Sequence, residues 1–568
     1  MDRRSALRQL AALTLLSGCS ADPPRSISRL SQLCASNQTG PTADGPLVID
    51  VHCHVFNGSD LQVTDFIGKV VKSEFSLNPK FAALLGEMAN SVSWLLAPTA
   101  LDEGKIIDNA FEISRDSPTL SNEAQSALRR GRQIQEDLLQ REAVRIFRTN
   151  RTLRELLNEY VTSVQSSGAY RALSPSDRRL LERLPRAVND PSVLTDADVR
   201  AIFRLPGIDQ IWHLLSSMLQ YRYANCFDIV EYYSCAGGSV DLFCPALVDY
   251  DHWLGDGSTR SRLADQYGVV EKIMRMMGGN FHAYAPFNPW SHLRDPGYFK
   301  AIQSCVLERG FIGVKLYPPM GFAPLGNATV PDTLRPAIWS KPGAPSPKEL
   351  DGAMQDLYNW CHANCVPILA HAGPSYGPDK NSDALASSTY WGIALDYIKS
   401  LGTNGQPEVP NVCFGHIGGA YTPQENRPGW AAGFAKQCQK HANAYGDLSY
   451  WDYLSADPLS PQFKAAKAAL KTMQSTWSGI EGRLLYGSDW NLLLLSQAWR
   501  NYPRTVLAGL KKCGFPDESV ARISGPNATL FLGLKSSAGP NSNRGRLDSI
   551  YAKKWKVDPI WRSKVNRL

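Results

Sequence analysis

The chain has 568 residues, 43% of them hydrophobic and 20% charged, with a formal net charge of +7. This is ordinary globular composition with ample apolar material for a core, long enough for several domains or for one barrel with insertions. The charge is spread thinly over the length and gives no case for nucleic acid, so no nucleic-acid partner is expected.

The first residues do not read as part of a fold. Arg3, Arg4 and Arg8 make a positive start, 10–16 a short apolar stretch, and Leu16-Ser17-Gly18-Cys19 a small-residue cleavage site. The apolar stretch is shorter than the roughly 20 residues that span a bilayer. The last four residues resemble the lipobox of bacterial lipoproteins, which predicts a lipoprotein signal segment over 1–19 whose Cys19 is lipidated and kept as the first residue of the mature chain. Asp2-Arg3-Arg4-Ser5-Ala6-Leu7 also looks like a twin-arginine export signal. The expected location is therefore outside the cytoplasm, facing the periplasm or cell exterior, held to a membrane through a lipid anchor. Residues 20–46, rich in Ser, Pro, Thr and Gly, read as a tether. Among the twelve cysteines, Cys226, Cys235 and Cys244 lie close together, a spacing that suits a disulfide in an exported chain.

A short apolar strand follows at 47–56, ending in His52-Cys53-His54. Residues two apart on a strand point the same way, so the two imidazoles stand together, and imidazole suits zinc and similar ions. From 60 to 238 the pattern is helical without alternating strands, with helices predicted at 122–148, 151–164 and 208–223 and prolines at 175, 185, 191 and 206. This reads as one helical insertion. From 239 the grammar alternates. Strands are predicted at 240–248, 281–287, 311–317, 366–371, 411–416, 447–451 and 483–489, separated by helices at 262–277, 298–309, 347–364, 388–401, 430–444 and 461–476 and followed by helices at 495–513 and 517–532. With the opening strand this makes eight βα units. The fold class is thus α/β, a (β/α)8 TIM barrel of 47–59 and 239–534 with a large helical insertion after strand 1. An open doubly wound sheet would carry a glycine-rich phosphate turn after its first strand, and none is present.

Polar residues stand at the ends of these strands: Lys315 in the fourth, His371 closing the fifth, His416 the sixth and Asp489 the eighth. In such a barrel the strand ends meet at one face, where active sites sit. His52, His54, His371 and Asp489 would converge there as three nitrogens and a carboxylate, a donor set for a catalytic divalent ion. Asp249, Asp251 and His252 follow the second strand, and Tyr317 and Trp490 are further pocket candidates.

The motifs His-Cys-His, Gly313-Val-Lys315, Leu369-Ala-His-Ala-Gly373, Gly415-His-Ile-Gly-Gly419 and Tyr486-Gly-Ser-Asp-Trp490 resemble those of the amidohydrolase superfamily. The closing Gly525-Pro-Asn-Ala-Thr-Leu-Phe-Leu-Gly533 is similar to the terminal segment of the amidohydrolase-related branch, which includes aminocarboxymuconate-semialdehyde decarboxylase-like enzymes. The resemblance implies His52, His54, His371 and Asp489 as metal ligands and His416 as the residue that polarises or protonates the substrate. It implies one divalent ion, zinc being favoured, with a second if Lys315 is carboxylated; His252 and Tyr317 stay as pocket candidates. A bound ion lowers the pKa of its water to about 7. Asp489 can then act as proton carrier, and His416 can stabilise an oxyanion by about 3–4 kcal/mol. The implied activity is hydrolysis of an amide, ester or lactone of a small-molecule substrate. A non-oxidative decarboxylase on the same metal site, and a catalytically inactive lipid-anchored binding protein, are the alternatives.

The insertion leaves strand 1 at the face that carries the site, which makes it a candidate lid. The end of the chain, 535–568, is a basic tail: 544–568 carries eight Lys or Arg against two acids, with Tyr551, Trp555 and Trp561. Its aromatics need burial, which points to packing on the barrel rather than to an anionic membrane surface.

Overall fold

The computed structural model describes residue 34 and residues 40–71, 79–114, 120–164, 173–205, 207–235, 239–251, 259–375, 380–402, 410–419, 430–535, 539 and 541–568. The expected signal peptide, Cys19 and His252 lie outside these residues.

Eight short strands form the centre: β1 Ile49–Cys53, β2 Leu242–Pro245, β3 Tyr284–Phe287, β4 Gly313–Leu316, β5 Ile368–His371, β6 Val412–Gly415, β7 Ala444–Asp447 and β8 Leu484–Leu485. All their residues are buried, as expected where helices cover a parallel sheet. β3 to β8 run as one parallel sheet in sequence order, and β1 pairs with β2. Isolated parallel bridges, Phe243 with Phe281 and Ala246 with Tyr284, join β2 to β3. Closure comes from backbone bonds between the first and last strands: Val51 N donates to Tyr486 O at 3.1 Å and Ser488 N to His52 O at 3.0 Å. The ring is closed, and the architecture is a (β/α)8 barrel.

The seventh strand differs from its expected position. It runs Ala444–Asp447 instead of starting at Asp447, and the preceding helix stops at Lys440. Ala-Tyr-Gly-Asp is only weakly apolar, so the helical periodicity runs on over it in the sequence. The shift matters because it puts Asp447 at the end of a strand.

In the insertion, helices run Pro79–Ser91, Ala100–Ser114, Asn122–Thr149, Arg151–Val164, Pro175–Ala187, Asp196–Ile202, Ile208–Leu219 and Arg222–Val230. The expected single helix at 208–223 is two. Gln220 is extended, and carbonyls freed at the break are taken by side chains: Gln135 Nε2 donates to Leu219 O at 2.8 Å and Asn57 Nδ2 to Gln220 O at 3.1 Å. Arg222 then opens a new helix, fully buried, with its guanidinium on both oxygens of Asp60 and on Glu103 Oε2 at 2.8 Å. This ion triad fastens two insertion helices to the turn that follows β1.

The disulfide joins Cys34 to Cys235, across 201 residues. Cys226 and Cys244 are free and buried, so the expected cysteine cluster contributes only Cys235. Closeness in sequence misleads here, since Cys244 is carried into the barrel on β2 while Cys235 ends the insertion beside the segment that precedes β1.

The basic tail packs on the barrel, as its aromatics predict. Trp555 stacks on His282 with centroids 5.7 Å apart, and Trp561 Nε1 donates to Gly279 O at 2.8 Å. Lys564, buried, pairs with Asp241 at 2.7 Å. Asp241, Gly279 and His282 all precede their strands, so the tail covers the barrel end opposite the strand C-termini. No helix among the described residues is long and apolar enough to cross a membrane.

Candidate metal centre

The strand C-termini bring His52, His54, His371, His416, Asp489 and Lys315 together. The rings of His52 and His54 lie 5.3 Å apart, His52 and His416 5.0 Å, and His371 and His416 4.9 Å. Asp489 Oδ1 is 3.2 Å from His54 Nε2 and 3.9 Å from His52 Nε2. His52, His416 and Asp489 have ligand atoms within 4.8 Å of one another. His416, expected as a substrate-polarising group, thus also stands at ligating distance. His371 stacks on Tyr317, centroids 4.4 Å apart, and its Nε2 is buried with no hydrogen-bond partner.

The outer nitrogens of three histidines are already committed. His54 Nδ1 faces Ala246 O at 2.8 Å; a carbonyl only accepts, so Nδ1 carries a hydrogen and, in the neutral ring, Nε2 the lone pair. His416 Nδ1 faces Ser449 O at 3.1 Å and is fixed the same way. His52 Nδ1 meets Asp447 Oδ2 at 3.1 Å. Burial alone would raise the Asp447 carboxyl, but His52, His416 and Ser449 hold it well below the usual range, so it is an acceptor and His52 Nδ1 the donor. Burial, followed by the neighbouring Lys315 ammonium, pushes His52 down to about 3, leaving it neutral with its Nε2 lone pair inward. Asp489 is likewise held low by the surrounding histidines against the effect of burial.

A lone pair on His54 Nε2 and a carboxylate oxygen 3.2 Å apart repel each other unless a proton or a metal cation lies with them. With the orphaned His371 Nε2 and the inward Nε2 of His52, the nitrogen and carboxylate donors fit a metal cation. Lys315 competes for part of this set: its Nζ donates to His52 Nε2 at 2.9 Å, and burial lowers its pKa to about 8. The same lone pair cannot serve both Lys315 and a metal.

The backbone here is strained. Non-glycine residues with positive φ include His416 (63°), Ile417 (32°), Tyr450 (57°), Asp489 (59°) and Asn491 (91°). Such conformations cost of order 1–3 kcal/mol each and persist where surrounding contacts enforce them. Asp489 N, for example, donates to His52 O at 2.7 Å. Gly415 makes room for the His52 ring, because a Cβ there would sit 3.0 Å from His52 Cε1 and 2.8 Å from Ala370 O.

The sequence reading missed Asp447, Ser449 and Asp50. Asp447 also accepts from His416 N at 2.9 Å, and Ser449 Oγ lies 2.9 Å from His52 Nδ1 and 3.0 Å from His416 Nδ1. An acid closing the seventh strand was the available signal, hidden by the misplaced strand. Asp50, raised to about 7 by burial, accepts from Ser488 N at 3.0 Å and ties β1 to the segment before Asp489. Among the weaker candidates, Asp249 is engaged by Ser291 Oγ at 2.7 Å and Tyr298 Oη at 2.9 Å, a buried loop anchor. Phe56, Phe66 and Tyr250 form an edge-to-face aromatic cluster next to His54.

No family model matches the chain, and no curated protein does. Solved structures similar to it include a probable 2-pyrone-4,6-dicarboxylic acid hydrolase from Acinetobacter baumannii with citric acid bound, 14% identical over 52% of this chain and 84% of that one, TM-score 0.30. An amidohydrolase from Burkholderia multivorans with bound HEPES is 10% identical over 52% of this chain and 84% of its own, TM-score 0.33. The 4-oxalomesaconate hydratase of Rhodopseudomonas palustris is 15% identical over 68% and 97%, TM-score 0.31.

Proposed function

We propose that the chain is a metal-dependent hydrolase of the amidohydrolase type, acting on an amide, ester or lactone of a small molecule with an apolar body. The observation that carries this reading is the approach of His54 Nε2 to Asp489 Oδ1 at 3.2 Å, with His54 Nδ1 already committed to a carbonyl. His52, His54, His371 and Asp489 hold the ion, with His416 within reach of the same centre. A divalent cation there supplies Lewis acidity. Asp489, ionised at neutral pH, takes a proton from the attacking water and returns it to the leaving group. His416, with its Nδ1 hydrogen held on Ser449 O, presents Nε2 as a base, and after taking up a proton there it donates to the oxygen that gains charge. Phe56, Phe66, Tyr250 and Tyr317 wall the site, and the first two belong to the chain leaving β1, which supports a gating role for the insertion.

We also place the protein outside the cytoplasm on a lipid at Cys19; the Cys34–Cys235 disulfide supports an oxidising compartment. Metal analysis of purified protein, with His52→Ala as control, and a panel scored for both carbonyl hydrolysis and carbon dioxide release test the catalytic reading. About one divalent ion per chain with hydrolysis upholds it. Carbon dioxide release replaces it with the decarboxylase, and no metal and no activity after metal addition with the inactive binding protein. Membrane fractionation of Cys19→Ala tests the anchor; a variant that stays membrane-bound removes it.

A further inference from the structure

A cavity of about 280 Å3 lies between the insertion helices and the segment after β8, at the lower edge of the roughly 300–1,000 Å3 of small-molecule sites. None of the described residues lining it is a histidine or aspartate of the metal centre, although Trp490, next in the chain to Asp489, forms part of its wall. Aromatic rings make up one part of that wall, and charged and polar side chains, Gln140, Ser216 and Gln220 among them, the rest. Trp499 lies 4.7 Å from Tyr232, 5.7 Å from Trp490 and 5.2 Å from His213, centroid to centroid, and Phe203 packs with Trp212 at 5.2 Å.

The charges in the wall are unequal. Both lining acids are spent on one arginine: Arg132 pairs with Glu136 at 2.8 Å and with Asp228 at 2.6 Å. Arg200 and Arg204 also line the cavity, on and just past the helix Asp196–Ile202, and neither makes an ion pair among the described residues. Arg200 Nε is buried without a hydrogen-bond partner. A cavity of flat apolar rings with two uncompensated guanidiniums suits a ligand with a flat apolar body and an anionic group, the carboxylate taking charge-assisted bonds from arginine.

We propose that this cavity is a binding site, separate from the metal centre, for a small aromatic carboxylate, with Arg200 and Arg204 receiving the anion and Trp499 and its neighbouring rings the body. The inference does not rest on the hydrolase reading. Isothermal titration of the full chain with 2-naphthoate tests it, using 2-naphthamide as the neutral counterpart. The expected result is saturable binding at one site that weakens roughly tenfold or more for the amide and in the Arg200→Gln/Arg204→Gln double variant, the loss expected when charge-assisted bonds go. These arginines are not core residues, so the double variant keeps the fold. His52→Ala should leave the affinity unchanged. Absence of saturable binding, equal affinity for acid and amide, or an affinity lost in His52→Ala and kept in the arginine variant overturns the proposal.

Discussion

Replacing Arg222 by methionine isolates what the buried ion triad contributes. Arg222 is 1% exposed, Glu103 0% and Asp60 3%. The guanidinium donates to Asp60, to Glu103 Oε2 at 2.8 Å, to Ser59 Oγ at 2.9 Å and to Asn57 Oδ1 at 3.1 Å. Methionine fills much of the volume but leaves two buried carboxylates without their cation, a loss of about 3–5 kcal/mol. The sign with pH follows from proton uptake. Burial already raises Glu103 even beside Arg222, and removing that charge raises it further. A carboxyl with a folded pKa above its unfolded one binds more protons folded, so the variant regains stability as pH falls, by up to about 1.4 kcal/mol per unit per group. Urea unfolding of both proteins at pH 8 and pH 5 should show a large gap that narrows in acid. A gap under about 1 kcal/mol at pH 8, or one of equal size at both pH values, would refute the reasoning.

Asp447→Asn keeps the shape but loses the carboxylate that makes His52 Nδ1 the donor. Metal affinity should fall about 10–100-fold by competitive chelator titration with the fold intact, and an unchanged affinity counts against the role. Gly415→Ala drives a Cβ against His52 and Ala370, so metal affinity should drop at least roughly tenfold, with about 1–3 kcal/mol lost in unfolding experiments. Cys34→Ser opens the link across 201 residues and should lower stability by about 2–5 kcal/mol under oxidising conditions. With reductant present the variant and the parent should unfold alike; a persistent difference would assign the effect to the serine rather than to the bond.

The barrel was legible because every strand but the seventh is short, apolar and followed by a helix, and a parallel sheet buried on both faces leaves that mark in a single sequence. The histidines and Asp489 were legible for a related reason: all strands end at one face, so residues far apart in the chain converge once the fold class is known. His371 and His54 needed nothing more than their place at a strand end.

The partners of those residues were not legible. Asp447 beneath His52, Ser449 between His52 and His416, and Lys315 on the lone pair of His52 depend on which strands are neighbours and how far each is shifted. The disulfide partner of Cys235, the break at Gln220 and the burial of Arg222 likewise rest on contacts between residues far apart in the chain, from 84 positions for Gln135 and Leu219 to 201 for the disulfide. Sequence by itself determined the elements, their order and the donor types at the barrel mouth, because local periodicity and strand-end position are properties of neighbouring residues. Only the tertiary structure decided which nitrogen of each histidine faces inward and where the insertion leaves a cavity, because hydrogen bonds and packing between distant segments set both.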